Sequence, residues 1–256
     1  MKTIVVANQK GGVGKTSSLV HLAFDFVERG LRVAVVDIDT QGNASYTLQE
    51  FASGYMASQL FDATDDSLRK HFAGLPDGPL MRLIESDALL ANMEKRELSD
   101  AAAVFKENIK ALADSGFDVV LIDTAPSLGV TLAAALYAAD SVLSPIELEA
   151  YSIQGIRKML LTIGNVRKMN PKLKFLGMVA SKVDSRNPRH VRHQLELQAA
   201  YPQLMIPASI GLRSSIADAL ASGVPVWKIN KTAARKATQE VRALAAYVFE
   251  QMEIQS

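Results

Sequence analysis

Seven residues near the start of this chain, Lys10-Gly11-Gly12-Val13-Gly14-Lys15-Thr16, set three glycines among two lysines and a hydroxyl. Glycines let backbone N–H groups turn inward and line an anion cradle. In such a cradle Lys15 reaches the outer phosphates, and the Thr16 hydroxyl ligates Mg²⁺. A helix opening at the same point adds the positive end of its dipole. The run fits the phosphate-loop pattern G-x-x-x-x-G-K-[ST] loosely, because Gln9 stands where the first glycine belongs. A lysine at each end of the glycines takes its place.

Two further acidic sites complete a candidate constellation. The run Val35-Val36-Asp37-Ile38-Asp39-Thr40-Gln41-Gly42-Asn43 sends two carboxylates out of an apolar strand. Side chains alternate along a strand, so Asp37 and Asp39 begin on one face. A carboxylate at a phosphate site holds a metal water or orients an attacking water. The run Asp118-Val119-Val120-Leu121-Ile122-Asp123 has the Walker B form, whose closing carboxylate holds Mg²⁺, usually through water. Neighbouring strands of one sheet deliver all these ends to one place.

The elements that must position these residues are legible. Strands are predicted at Ile4–Ala7, Val33–Ile38, Leu80–Ile84, Val119–Ile122, Ser141–Ser144, Phe175–Ala180 and Met205–Pro207. Helical patterns lie between them near 16–29, 96–114, 129–138, 151–169, 187–200 and 212–221, with a last helix near 232–252. Continuous apolar strands alternating with helices predict an α/β fold: a mostly parallel, twisted sheet covered by helices on both faces. Residues 50–79 are polar and carry Gly54, Gly74, Pro76, Gly78 and Pro79. They are predicted to be an excursion from the sheet within a single domain, 1–256.

Composition excludes several chemistries. The chain has 256 residues and no cysteine, so disulfides, thiolate zinc sites, iron–sulfur clusters and cysteine nucleophiles are ruled out. No apolar run is long enough to span a membrane. The amino terminus has no signal-peptide shape, and a cytoplasmic protein is predicted. Net charge is +1, yet from Lys182 to Lys236 the sequence gathers Lys182, Arg186, Arg189, Arg192, Arg213, Lys228, Lys231, Arg235 and Lys236 against Asp184, Glu196 and Asp218. That asymmetry points to a polyanion-facing surface. His190 and His193 lie nearby without an evident third ligand and are read as exposed helix residues.

The stretches K-G-G-V-G-K-T, V-D-I-D-T-Q-G-N and V-L-I-D-T-A-P resemble the deviant Walker A, A′ and B motifs of the ParA/MinD family of P-loop ATPases. Ile206-Pro207, Arg213 and Gly223-Val224-Pro225-Val226 extend the resemblance over nearly the whole chain, most strongly toward ParA partition ATPases. Thr40 departs from it, since the family usually has proline there. The resemblance implies an ATPase cycle. ATP and Mg²⁺ are the expected cofactors, and ATP binding closes a sandwich homodimer. Lys10 reaches the partner's phosphates in trans. Lys15, Gly11, Gly12, Val13, Gly14, Thr16, Ser17 and Pro207 bind nucleotide in their own subunit. Thr16, Asp39 and Asp123 serve the metal. Asp39 orients the attacking water, and Asp37 supports the switch. It also implies a nucleoid-associated protein whose dimer holds double-stranded DNA without sequence preference, through Arg186 and Arg213, with Lys228, Lys231, Arg235 and Lys236 extending the patch. A ParB-type partner stimulates hydrolysis. Lys182 and Asp184 are alternatively adenine contacts.

Three other readings compete. A nucleoid-based positional ATPase for a protein cargo shares every motif. A MinD-like membrane ATPase needs a basic amphipathic terminal helix, whereas Ala246–Ile254 is acidic and lacks lysine. A small-molecule ligase needs neither Lys10 nor the basic segment.

Overall fold

A computed structural model describes the whole chain except residues 63–65, 150–151 and 255–256, and the side chains of 152–155 also lie outside the description. The first crossover is β1 (Lys2–Val6), α1 (Lys15–Glu28) and β2 (Arg32–Asp37). After it come α2 (Asn43–Thr47), β3 (Ala52–Met56), α3 (Ser67–His71), β4 (Leu80–Glu85), α4 (Leu90–Met93) and α5 (Leu98–Asp114). The second half runs β5 (Val119–Asp123), α6 (Val130–Ala138), β6 (Ser141–Glu147), α7 (Ser152–Val166) and β7 (Lys174–Val183). It closes with α8 (Pro188–Ala200), β8 (Met205–Gly211), α9 (Ser214–Ala221) and α10 (Thr232–Gln251).

All eight strands join one parallel sheet in the order β3-β4-β2-β5-β1-β6-β7-β8. Alternate residues of each strand feed opposite cores, as the period of two requires. Val5, Ala34, Val36, Val120 and Ile122 pack toward α5 and α6. Ile4, Val6, Val33, Val35 and Leu121 pack toward α1 and α10. Phe26 is fully buried in the second core, and Phe61, Phe72 and Phe105 fill the first. Burying each such ring contributes roughly 1.5–3 kcal/mol. Gly30, at φ +93°, ends α1 in the left-handed turn that a side chain would strain.

Register brings the functional ends level. Val6 of β1 and Asp37 of β2 both stand opposite Asp123 of β5. Strand order reverses beside β1, between its neighbours β5 and β6, so the loop after β1 opens at the switch point where α/β sheets bind ligands.

The predicted excursion at 50–79 is corrected. It supplies an edge strand, β3, and the short helix α3. Period-two reasoning misses β3 because only Tyr55 of its five residues is buried. Glu85 Oε2 there accepts from the N–H groups of Ser53 and Gly54, both at 3.0 Å, so a side chain helps hold the strand. Leu68 and Phe72 cap the first core, and Phe72 meets Phe117 edge-on at 5.5 Å. The Walker B strand is accordingly the fifth strand. The predicted helix over 151–169 starts partly outside the described residues; its described span ends at Val166.

Candidate functional site: the glycine loop and its acidic floor

The loop after β1 is pinned at its start. Ala7 N–H donates to Leu143 O, and Asn8 spans the gap with Nδ2 on Pro145 O (2.7 Å) and Oδ1 accepting from Lys10 N–H (2.9 Å). Gly12 (φ +74°) and Gly14 (φ +91°) then take left-handed conformations. A Cβ on Gly14 would stand 2.6 Å from Ser181 Oγ at the end of β7. Gly14 is also the N-cap of α1, with no side-chain cap. The first-turn N–H groups of that helix therefore face the loop, where an anion satisfies them.

Beneath the loop lies an acidic floor. Thr16 Oγ1 donates to Asp123 Oδ2 at 2.6 Å. Asp123 is fully buried, and burial together with Asp37 pushes its carboxyl up to about 8, against the pull of Thr16 and Lys15. Burial likewise raises Asp37, whose Oδ2 accepts from Ser45 N–H and Ser45 Oγ, both at 2.8 Å. Lys15 is 6% exposed, and burial lowers its ammonium pKa although Asp123 and Asp39 support the charge. Asp37, Asp39 and Asp123 stand buried around a single cation, Lys15, so ionising Asp123 leaves the floor short of positive charge. A divalent cation carried by a phosphate chain suits that deficit, since Mg²⁺ takes one or two protein ligands and completes its shell from water and phosphate. No cluster of three or more His, Asp or Glu able to hold a metal by themselves occurs among the described residues.

The loop borders a cleft of about 580 Å³. Gly11, Gly12, Gly14, Lys15, Thr16 and Ser17 form one wall. Asp39, Gln41 and the α2 residues Asn43, Tyr46 and Thr47 form a second. Ile210, Ile216 and Leu220 give an apolar third. Asp37 and Asp39 thus divide. Asp37 turns inward to fasten α2 through Ser45, and its Oδ1 accepts from Asp39 N–H at 3.1 Å. Asp39 lies past the strand end and lines the cleft.

Several predicted residues stand elsewhere. The Val13 side chain is buried and faces a second cavity on the far side of the loop, leaving only its backbone for the cradle. Lys10 also borders that second cavity, with Nζ 2.6 Å from both Glu147 and Glu149 of its own chain. Pro207 does not border the cleft. Strand β8 runs on past it to Gly211, so Pro207 sits exposed in mid-strand at the sheet edge, and Ile210–Arg213 occupy the place predicted for it.

The six predicted DNA-contact residues stand on or beside several different elements. Arg213 lines the cleft and is held by Glu240 through two bonds, Nε at 2.9 Å and Nη2 at 2.6 Å. Arg186 precedes α8 and pairs with Asp184 at 3.1 Å. Lys231 pairs with Asp218 at 2.5 Å. Lys228, Arg235 and Lys236 are exposed around the start of α10. Asp184, the alternative adenine contact, is occupied by Arg186 outside the cleft, whereas Lys182 lines it. Sequence reasoning missed Asn43, Tyr46 and Thr47, because the five-residue α2 is too short to show a period. It also missed Glu147 and Glu149, whose signal was only their place at the end of β6.

Comparison with known proteins places this geometry. A family model described as an AAA domain matches residues 1–175. Protein IncC of Escherichia coli is 71% identical over 257 residues, covering 99% of this chain and 71% of IncC. The chromosome-partitioning ATPase Soj of Thermus thermophilus is 32% identical, covering 95% of this chain and 96% of Soj. Among solved structures, cobyrinic acid a,c-diamide synthase from Mycobacterium smegmatis with bound ADP and magnesium aligns at a TM-score of 0.73. It is 27% identical, over 99% of this chain and 96% of that one.

Proposed function

Because this chain belongs to the AAA-domain family of ParA-type partition ATPases, we propose that it is a single-domain DNA-partition ATPase that uses ATP and Mg²⁺. The observation that carries the reading is the Thr16–Asp123 hydrogen bond directly below the glycine loop, beside buried Lys15. In this reading the N–H groups of the loop and of the first turn of α1 bind phosphate oxygens. Lys15 supplies in-subunit charge, and Ser17 borders the same wall. Thr16 and Asp123 hold Mg²⁺, which when bound neutralises phosphate charge during transfer. Asp39 faces the cleft and orients the attacking water; Asp37 braces the turn that carries it. The wall of Ile210, Ile216 and Leu220 accommodates the flat, apolar face of a base.

ATP binding closes a homodimer in which Lys10 leaves Glu147 and Glu149 for the partner's phosphates. The dimer holds double-stranded DNA without sequence preference, and a ParB-type partner stimulates hydrolysis, which releases it. Lys228, Arg235 and Lys236 around the start of α10 are the principal phosphate contacts, with Arg186 and Lys231 at the margin. Arg213 supports the cleft through Glu240. Cytoplasmic, nucleoid-associated behaviour follows from that cycle. Pull-down on two unrelated duplexes with ATP, with ADP and without nucleotide tests the reading. Retention is expected with ATP only and equally on both duplexes; retention independent of nucleotide would reject the cycle.

A further inference from the structure

Among the described residues, Lys182 and Glu253 are the non-glycine positions with a left-handed backbone, and Lys182 (φ +55°) borders the cleft. Such a conformation persists in an L-residue only where surrounding structure imposes it. Here it turns the end of β7 toward the loop. The preceding residue, Ser181, lies against Gly14, and Lys182 Nζ lies 3.9 Å from where a Cβ on Gly12 would stand. Three cations line the cleft. Lys15 lies buried below the loop. Arg213 is gripped at two atoms by Glu240. Lys182 is 45% exposed and, among the described residues, pairs with Glu147 at 3.2 Å, whose other oxygen is taken by Lys10.

We propose that Lys182 is a second in-subunit cation for the nucleotide's polyphosphate, turning from Glu147 onto oxygens lying over Gly12. The placement favours phosphate over adenine, because Nζ lies 3.9 Å from where a Cβ on Gly12 would stand, at the glycines of the cradle. An ammonium on a flexible stem suits such a transfer, since it binds phosphate as a point charge without fixed geometry. The proposal rests on the reading of the cleft as an ATP site and adds a ligand to it.

The test titrates wild type, Lys182→Gln, Lys182→Arg and Lys182→Gly with adenosine, MgADP and MgATP, and records Tm for each. Lys182→Gln is expected to weaken MgADP and MgATP about five- to tenfold, as for a half-exposed charge-assisted contact, and to leave adenosine unchanged. Lys182→Arg should stay within about twofold of wild type. Lys182→Gly should lose the same affinity as Lys182→Gln without losing Tm, because glycine adopts this backbone freely. Equal affinities of wild type and Lys182→Gln for both nucleotides would overturn the proposal. So would an equal loss for adenosine, which would make Lys182 a base contact, or an equal loss in Lys182→Arg with a fallen Tm, which would make it structural. Wild type failing to bind ATP would instead reject the parent reading.

Discussion

The floor under the glycine loop and the basic surface at the start of α10 are built from the same residue types in opposite settings. Asp37, Asp39, Asp123 and Lys15 are buried against one another, and each carboxylate receives a hydrogen bond from the chain. Lys228, Lys231, Arg235 and Lys236 lie in water, and Lys231 already has an acidic partner. A charge kept out of water costs several kcal/mol unless its surroundings compensate it. Each buried group is therefore individually consequential. An exposed charge contributes little alone and acts through its share of a summed field. The two regions should fail differently: the floor by single substitutions, the surface by increments.

The largest expected effect lies in the floor. Asp39→Ala should keep nucleotide binding and lose roughly 10²–10⁴ in kcat, the range for a positioned group that handles an attacking water. Single-turnover hydrolysis checks this, and fast turnover would move the role elsewhere. Lys15→Ala comes next. Losing a charge-assisted phosphate contact of about 1.5–3 kcal/mol should weaken ATP roughly 10- to 100-fold. Lys10→Ala should spare that affinity, because Lys10 stands outside the cleft on Glu147 and Glu149. Titrating both variants separates the two lysines; equal losses would merge their roles.

A pH experiment sharpens the contrast further. Asp123 is raised to about 8 in the fold, above its unfolded value, so it contributes stability at low pH that is lost as pH rises toward 8. Mg²⁺ needs the carboxylate, so binding must expel that proton. Metal-dependent ADP affinity should rise roughly tenfold per pH unit up to about pH 8 and then level off. A flat profile would mean that Asp123 is already ionised.

The smallest effects belong to the surface. Arg235→Ala should lower the slope of log affinity against log salt by about 0.9, equally on any duplex. Arg213→Glu tests which region Arg213 belongs to. Placing two carboxylates together at Glu240 should cost about 1–2 kcal/mol, which is roughly a 2–8 °C fall in Tm for a chain of this size. A lost salt slope with unchanged Tm would return Arg213 to the DNA surface.

The floor was legible in the sequence because its chemistry is local to strand ends. Asp37 and Asp123 each follow an apolar strand run, and a parallel sheet brings such strand ends level without further information. The surface was less legible because pairing is tertiary. Glu240 lies 27 residues beyond Arg213, and no spacing rule joins them. The strand predicted to close at Pro207 runs on to Gly211, because an edge strand tolerates a proline. Strand β3 was hidden because Glu85, from the neighbouring strand, supplies part of its bonding.

Pro207 has a consequence for how copies of this protein can meet. Open sheet edges are templates on which a second chain can add a strand, the usual route to aggregates and runaway filaments. Here β8 is one terminal strand, and the exposed ring in its middle carries no N–H to offer an incoming backbone. Self-association by sheet extension is disfavoured at that end. Contacts between copies of the chain are thereby steered away from that edge of the sheet.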